Sequence, residues 1–178
     1  MQTKKEDNYL FTIGHSTRPI EEFIRILIHY QIGLLADIRS FPGSKYVPQF
    51  NRENLEAALH QGGLDYVHLK QLGGRRKASP DSVNDGWHNK SFRGFADYMQ
   101  TKEFTSGLQE LIRLAAKKRT AIMCAEAVPW RCHRSLVADA LVIRGIEVIN
   151  IFSETKSEIH HLTSFAKVNG NEIIYPEE

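Results

Sequence analysis

The chain has 178 residues, 42% of them hydrophobic, which suits one compact domain whose core is large enough to fold without cross-links. Its net charge is only +2. Two cysteines are too few for a disulfide scaffold, and the chain has no apolar run long enough to span a membrane. It also has no charged-then-apolar leader, which argues against a secreted protein. We therefore expect a cytoplasmic protein with a flexible N-terminus over residues 1–8 and a single domain over residues 9–178.

The first third of the chain alternates short apolar segments with helical patterns. Tyr9–Ile13 predicts a strand, and apolar residues at helical spacing over 20–28 predict the helix that follows it. Leu34–Ile38 predicts a second strand, and Asn51 is a favourable N-cap for a second helix. A third strand is predicted at Leu64–Leu69.

The same alternation continues after a polar, breaker-rich segment at Lys77–Gly94. That segment predicts a surface excursion that acts as a lid, or else an ordinary variable loop. Phe95–Lys118 is expected to be mostly helical, Thr120–Cys124 to form the fourth strand, Cys132–Arg144 the next helix and Ile146–Ile151 the fifth strand.

The C-terminal region combines a helix signal with a turn signal. Thr155 and Glu158 have the spacing of a capping box, which predicts a last helix ending near Val168. Asn169-Gly170 then predicts a turn toward an extra edge strand at Ile173–Tyr175.

Five strands alternating with helices predict parallel pairing, because a parallel return needs a crossover connection. The predicted fold is an α/β, three-layer Rossmann-like sandwich around a mainly parallel five-stranded sheet. Ligands of such sheets bind outside the carboxyl ends of the strands.

The loops after the first four predicted strands carry nine basic residues and one acidic residue. These loops therefore sum to about +8 and the rest of the chain to about −6, so the positive charge is concentrated at one edge of the sheet. The pattern predicts a cationic pocket there. The basic residues are Arg18, Arg39, Lys45, Lys70, Arg75, Arg76, Lys77, Arg131 and Arg134.

The segment from Cys124 to Arg134 runs from a strand end into a helix N-terminus. A thiol in that position feels the helix dipole and nearby cations, which favour thiolate, so Cys124 or Cys132 could be a nucleophile. Each cysteine could instead be purely structural. Cys124 and Arg131 are one residue too far apart for a Cys-x5-Arg phosphatase loop, so a phosphatase or rhodanese mechanism is not supported.

Two neighbours of these cysteines could transfer protons. Glu126 is the one carboxylate of the four loops and could serve as a base or orient His133, or simply pair with an arginine. His133 could be the acid or base partner of a thiol, or a histidine that only satisfies the helix start. The predicted catalytic residues are Cys124, Glu126, Cys132 and His133.

Anion binding is predicted from arginine forks and from glycine-containing turns. Arg39 and Arg134 suit phosphate or carboxylate, because a guanidinium forms paired hydrogen bonds and stays charged. The turn at Ser16 could hold a phosphate with free backbone amides, or Ser16 could only cap the helix. The predicted anion-binding residues are Gly14, His15, Ser16, Arg39, Gly73, Gly74, Arg75 and Arg134.

A metal site is the weaker interpretation of Cys124, Cys132 and His133. Their spacing is unlike that of paired Cys-x2-Cys clusters, and adjacent residues at a helix start point in different directions. We predict no cofactor, with a metal as a minor alternative. A disulfide between the two cysteines is disfavoured in a reducing compartment.

Together these residues resemble the DUF488 family from Tyr9 to Tyr175, with the Cys-x-Glu and Cys-His-Arg segments as the most specific elements. The resemblance implies a small cytosolic α/β domain of prokaryotic type whose activity is not established. The matching segments are Gly14-His15-Ser16, Asp37-Ile38-Arg39 with Pro42 and Ser44, Leu72-Gly73-Gly74, Cys124-Ala125-Glu126 and Cys132-His133-Arg134.

Three functions remain open at this point. The first is an enzyme that acts on a phosphate-bearing, nucleotide or nucleic-acid-derived substrate. The second is a nucleic-acid-binding module with structural cysteines, in which basic residues track the backbone and Trp87 stacks on bases. The third is a Cys/His metal-binding or redox protein. Neither the physiological partner nor the oligomeric state follows from the sequence.

Overall fold

A computed structural model describes residues 8–178, so the flexible N-terminus predicted for residues 1–8 lies, apart from Asn8, outside the described residues. These residues form a mixed α/β structure with a mainly parallel sheet. The strands are β1 (Tyr9–Gly14), β2 (Leu34–Asp37), β3 (Asp65–His68), β4 (Thr120–Cys124), β5 (Glu147–Ile151), β6 (Ser157–Ile159), β7 (Lys167–Asn169) and β8 (Glu172–Ile174). The helices are α1 (Ile20–His29), α2 (Arg52–Gln61), α3 (Lys90–Tyr98), α4 (Lys102–Lys117) and α5 (Arg134–Val142).

The main sheet has six strands in the order β3-β2-β4-β1-β5-β6. The first five of these are parallel, and β6 pairs antiparallel with β5. The prediction of five strands was therefore one short, although the expected parallel sheet with crossover helices is present.

Two apolar clusters cover the two faces of this sheet. On β4, Ile122 belongs to the cluster built with α3, α4 and α5, whereas Ala121 and Met123 belong to the cluster built with α1 and α2. All five residues of β4 are buried, as expected for a central parallel strand with both faces covered. The arrangement is consistent with a Rossmann-like sandwich.

The predicted long helix is divided in two. The first helix ends at Tyr98, the backbone is extended at Thr101, and Thr101 caps the next helix by accepting a hydrogen bond from the Phe104 amide (3.3 Å). The first of the two helices already begins at Lys90, inside the segment that was expected to be irregular.

The prediction of a last helix ending near Val168 is wrong. A turn at Ser153–Lys156 reverses the chain, and Ser157–Ile159 pairs with β5, whose outer edge would otherwise leave backbone groups unpaired. The Asn169-Gly170 turn is present, with Gly170 at φ +62°, but it joins β7 and β8 in a separate hairpin. The strand predicted near residues 173–175 is therefore not an edge of the main sheet.

Candidate functional site

A cavity of about 500 Å³ opens at the carboxyl edge of the sheet, where the parallel neighbours β1, β2 and β4 end. Its walls come from the loops after β1, β2, β3 and β4 and from the start of α3. Eight predicted site residues, from four separate loops, line it: His15, Arg39, Gly74, Arg75, Cys124, Glu126, Cys132 and His133.

Arg39 is held in the cavity wall by Asp37, a residue for which the sequence suggested no role of its own. The Asp37 carboxylate accepts from Arg39 Nε (2.9 Å) and Nη2 (2.7 Å) and is itself fully buried. It also accepts from the Arg39 amide (3.1 Å) and from the Tyr66 hydroxyl (2.6 Å). Burial and the Asp37 charge raise the pKa of Tyr66, so the phenol remains a donor. One edge of the guanidinium is thereby fixed, and its Nη1 side is turned toward His15.

His15 is a buried, neutral imidazole stacked on Phe50, with ring centroids 4.3 Å apart. Burial, with a smaller contribution from the Arg39 charge, lowers the pKa of His15 to about 4, against the opposing effect of the Ser16 carbonyl. Because Nδ1 lies 2.7 Å from that carbonyl, it carries the proton and donates, which leaves Nε2 to accept from Arg39 Nη1 (3.4 Å). His15 therefore positions Arg39 at neutral pH.

The two cysteines lie side by side in the cavity wall, and both are free thiols. Burial raises the pKa of Cys124, but a hydrogen bond from Cys132, the positive charge of Arg134 and the Glu126 backbone outweigh burial, so the pKa lies below its usual value. Burial, followed by the hydrogen bond to Cys124 and the charge there, raises the pKa of Cys132 well above its usual value. Cys124 is thus the more acidic thiol of the pair, and Cys132 is its hydrogen-bond donor.

His133 continues this row of groups on the other side of Cys132. Its Nε2 lies 2.9 Å from the Ile38 carbonyl, so Nε2 donates, and the unprotonated Nδ1 faces Cys132 Sγ at 3.5 Å. Burial lowers the pKa of His133 to about 4, although carbonyl hydrogen bonds oppose this. The imidazole is therefore neutral at pH 7 and a weaker base than a solvent-exposed histidine.

Arg134 was predicted to clamp an anion, but its guanidinium lies behind the cavity wall with no exposed surface. It donates to Thr12 Oγ1 (3.3 Å) and to the carbonyl oxygens of Glu126 (3.2 Å) and Ala127 (3.3 Å), while its Nε has no hydrogen-bond partner. Among residues 8–178 no carboxylate forms an ion pair with it. The proposed contact with a substrate is replaced by a buried charge next to the thiols.

The first loop does not offer the free amides that were expected for a phosphate. The amides of His15 and Ser16 donate to the carbonyl oxygens of Cys124 and Ala125, at 2.9 Å each, and so join the loops after β1 and β4. A methyl group on Gly14 would lie 1.6 Å from the Glu126 carbonyl oxygen. Gly14 is needed because another part of the chain passes over it, not because a ligand does.

The glycine turn after β3 has a similar role. A Cβ on Gly73 would lie 2.5 Å from Ser40 Oγ, and a Cβ on Gly74 would lie 2.9 Å from His133 Nδ1. The Ser40 hydroxyl donates to the Gly74 carbonyl (2.7 Å). The turn therefore packs against the cavity wall, and of the two glycines Gly74 reaches the cavity.

The polar segment before α3 is tied to the rest of the molecule. Asp97 accepts hydrogen bonds from Ser82 (2.5 Å) and Asn84 (2.8 Å), and Asn84 accepts from the Tyr175 amide (2.9 Å). Trp87 is partly buried and packs against the rings of Phe92, Phe165 and Tyr175, which leaves less of its ring for the base stacking of the second hypothesis. At α3, Asn89, Ser91 and Phe92 line the cavity.

Two further observations concern residues 8–178. They contain no group of three or more His, Cys, Asp or Glu side chains arranged to hold a metal ion. None of their helices is both long enough and apolar enough to cross a membrane.

Comparison with known proteins adds one match. A family model described as "Domain of unknown function DUF488" matches residues 19–141, a stretch that contains Arg39, Gly74, both cysteines and His133. No curated protein and no solved structure matches the chain.

Proposed function

Because the chain belongs to the DUF488 family, a domain of unknown function, its activity has to be argued from its own residues, and we propose that it is a thiol-dependent enzyme acting on an anionic, phosphate-bearing substrate. In this proposal Cys124 is the nucleophile, Cys132 and His133 handle the proton, and arginines of the cavity bind the anion. Glu126 is a second proton-transfer group at the cavity mouth.

The buried guanidinium of Arg134 carries the proposal. A buried charge is costly unless a group of opposite charge or several hydrogen bonds compensate it. Arg134 has hydrogen bonds only to neutral oxygens, one of which is the Glu126 carbonyl oxygen (3.2 Å). The protonated Cys124 thiol donates to that same oxygen (3.7 Å), and the positive charge of Arg134 lowers the pKa of Cys124. A structural cysteine gives no reason to bury a cation here, whereas a thiolate does.

The anion would be bound beside this sulfur. Arg39 presents the part of its guanidinium that Asp37 leaves free, and its position is fixed by buried contacts. Arg75 and Arg131 line the same cavity but are exposed, so their side chains can adjust to a bound group. Guanidinium groups suit phosphate because they form paired, charge-assisted hydrogen bonds.

The thiolate would attack an electrophilic carbon atom of the substrate. A bond from Cys124 sulfur to that atom forms, and the bond to the leaving group breaks, with the leaving group keeping the electron pair. Water then cleaves the covalent intermediate, with neutral His133 or Glu126 accepting the proton of the water. Cys132 lies between the two groups, with its sulfur 3.5 Å from His133 Nδ1, and its single S–H can be given to the Cys124 sulfur or to the imidazole.

Alkylation of the native protein tests this proposal. At pH 7, iodoacetamide should label Cys124 faster than Cys132, as read by peptide mass spectrometry, because the thiolate is the reactive form. Inorganic phosphate should slow the labelling in the wild type and have little effect in Arg39→Ala, with Arg113→Ala as the control at an exposed arginine on α4. Two cysteines that react only after unfolding would contradict the proposal.

A further inference from the structure

We propose that the substrate of this site is a segment of single-stranded nucleic acid, whose phosphate enters the cavity and whose bases stack on three exposed aromatic rings at the cavity rim. The inference rests on the proposed function, since it names the substrate class of the same site. The rim consists of Phe41, Tyr46 and Trp130.

These three rings are exceptional in the molecule. Phe41 is 67% exposed, Tyr46 95% and Trp130 62%. Every other Phe, Tyr and Trp among residues 8–178 is buried or partly buried. Large aromatic rings normally bury their faces, so three that remain exposed in the two loops that line one cavity indicate a binding surface.

Their location connects them to the cavity. Phe41 lines the cavity directly, whereas Tyr46 does not line it but stands in the sequence between the lining residues Ser44 and Val47. Trp130 does not line the cavity either; it precedes the lining residue Arg131 in the sequence, and its ring centre lies 6.2 Å from that of Phe152. The rings therefore come from the loops after β2 and β4, which form different walls of the same opening.

Cations alternate with the rings. The Arg75 guanidinium carbon lies 5.7 Å from the centre of the Phe41 ring, and Arg75 has a left-handed backbone with φ +59°. Such a backbone is unfavourable for a side chain other than glycine, so the loop holds Arg75 in place at a cost. Lys45 and Arg131 each stand next to an aromatic residue in the sequence and are exposed.

A positive groove lined with aromatic rings is the usual surface for single-stranded nucleic acid, because phosphates contact the cations and flexible bases stack on the rings. A phosphorylated acidic peptide would satisfy the cations but would leave the rings without flat partners. A duplex keeps its bases stacked on one another. The single strand therefore accounts for both features of the rim.

The test is fluorescence anisotropy with a labelled 12-nucleotide single strand, tried as DNA and as RNA. Phe41→Ala, Tyr46→Ala and Trp130→Ala should each weaken binding by about 5- to 150-fold, the range that corresponds to about 1–3 kcal/mol per stacked base. Val83→Ala is the matched control, since Val83 is 56% exposed in the segment before α3 and does not line the cavity. It should change binding less than about twofold.

An abasic strand of the same length separates stacking from charge. It should bind the wild type more weakly than the base-bearing strand and should be insensitive to the three substitutions. Equal binding of the two strands, or tighter binding of a phosphorylated acidic peptide, would overturn the proposal.

Protection of Cys124 separates this inference from the proposed function. Saturating strand should slow iodoacetamide labelling of Cys124, and a strand that binds without slowing it would not be the substrate of this site. If Cys124 is inert while the aromatic substitutions still weaken binding, the enzyme proposal fails and strand binding at the rim stands.

Discussion

Removal of the Arg134 charge should slow the reaction of Cys124 with a small aromatic disulfide. Cys124 Sγ lies 3.7 Å and Arg134 Nη2 lies 3.2 Å from the Glu126 carbonyl oxygen, so sulfur and nitrogen are separated by no more than about 6.9 Å, the sum of the two distances. At that separation and an effective dielectric constant of about 20, a unit charge stabilises the thiolate by about 2.4 kcal/mol. Loss of this energy lowers the thiolate population about 60-fold at a pH where the thiol form dominates.

The expected change in rate is smaller than the change in population. A less acidic thiol gives a more nucleophilic thiolate, with a Brønsted coefficient of about 0.4–0.5, which recovers nearly half of the logarithm of the loss. Arg134→Met should therefore react about tenfold more slowly than the wild type at pH 6. Stopped-flow absorbance gives the rate, and mass spectrometry of the labelled peptide assigns it to Cys124.

Two variants control this experiment. Arg134→Lys keeps a positive charge at the site and should stay within about threefold of the wild-type rate, since the Coulomb interaction is retained. Arg113→Met removes an exposed arginine that pairs with Glu110 and should have no effect. Circular dichroism and urea denaturation establish that each variant is folded. A folded Arg134→Met protein that reacts at the wild-type rate at pH 6 would refute the assignment of Arg134 as the partner of the thiolate.

The remaining predictions concern stability and are measured by urea denaturation. Asp37→Asn should lower the free energy of unfolding by about 3–5 kcal/mol, because it leaves the buried Arg39 charge without its carboxylate. Burial lowers the pKa of both His15 and His133 from 6.5 to about 4, so between these pH values the unfolded chain binds more protons than the folded protein. The free energy of unfolding should therefore fall as the pH drops from about 6.5 to 4, by about 3 kcal/mol for each imidazole. Gly14→Ala should prevent folding or destabilise the protein severely, since its Cβ would lie 1.6 Å from a carbonyl oxygen.

Matched substitutions show whether these effects are local. Glu110→Gln breaks an exposed ion pair and should leave the free energy of unfolding nearly unchanged. Gly43→Ala places a Cβ no closer than 3.9 Å to its nearest neighbour and should be tolerated. Equal losses in Asp37→Asn and Glu110→Gln would argue against a special role for the buried pair. A stability that is flat between pH 6.5 and 4 would mean that the histidines are not buried as neutral groups.

Much of the sheet could be predicted because its local signals agree with its topology. Apolar runs such as Leu34–Ile38 are followed by polar turns and helical spacing, and parallel pairing then brings the strand ends together at one edge. That logic predicted that residues such as Arg39 and His133 would meet, and the structure places both in the wall of one cavity.

The C-terminal strands could not be predicted in the same way. Thr155 and Glu158 fit a capping box, yet the chain forms β6 instead, because the open edge of β5 supplies hydrogen-bond partners that no local pattern reveals. The outcome depends on tertiary contacts rather than on propensity.

The roles of individual residues in the site could not be predicted from residue types and their spacing in the sequence either. An arginine in a cationic loop looks like an anion ligand, but Arg134 is buried behind the wall, and only the packing of β1 against the next loop reveals this. Gly14 looks like a phosphate-binding glycine but accommodates a neighbouring carbonyl group. Asp37 stands two residues before Arg39 at the end of a strand, and this spacing of opposite charges could have suggested that the two side chains pair.

The pH dependence of thiol alkylation, resolved for each cysteine by mass spectrometry, shows whether Cys124 is the more acidic and more reactive of the two thiols. We expect Cys124 to be labelled first, with a profile whose midpoint lies below the pH at which a free cysteine titrates, about 8.5, and Cys132 to react only at higher pH. Preferential labelling of Cys132, or a Cys124 profile with its midpoint at or above that pH, would contradict the account.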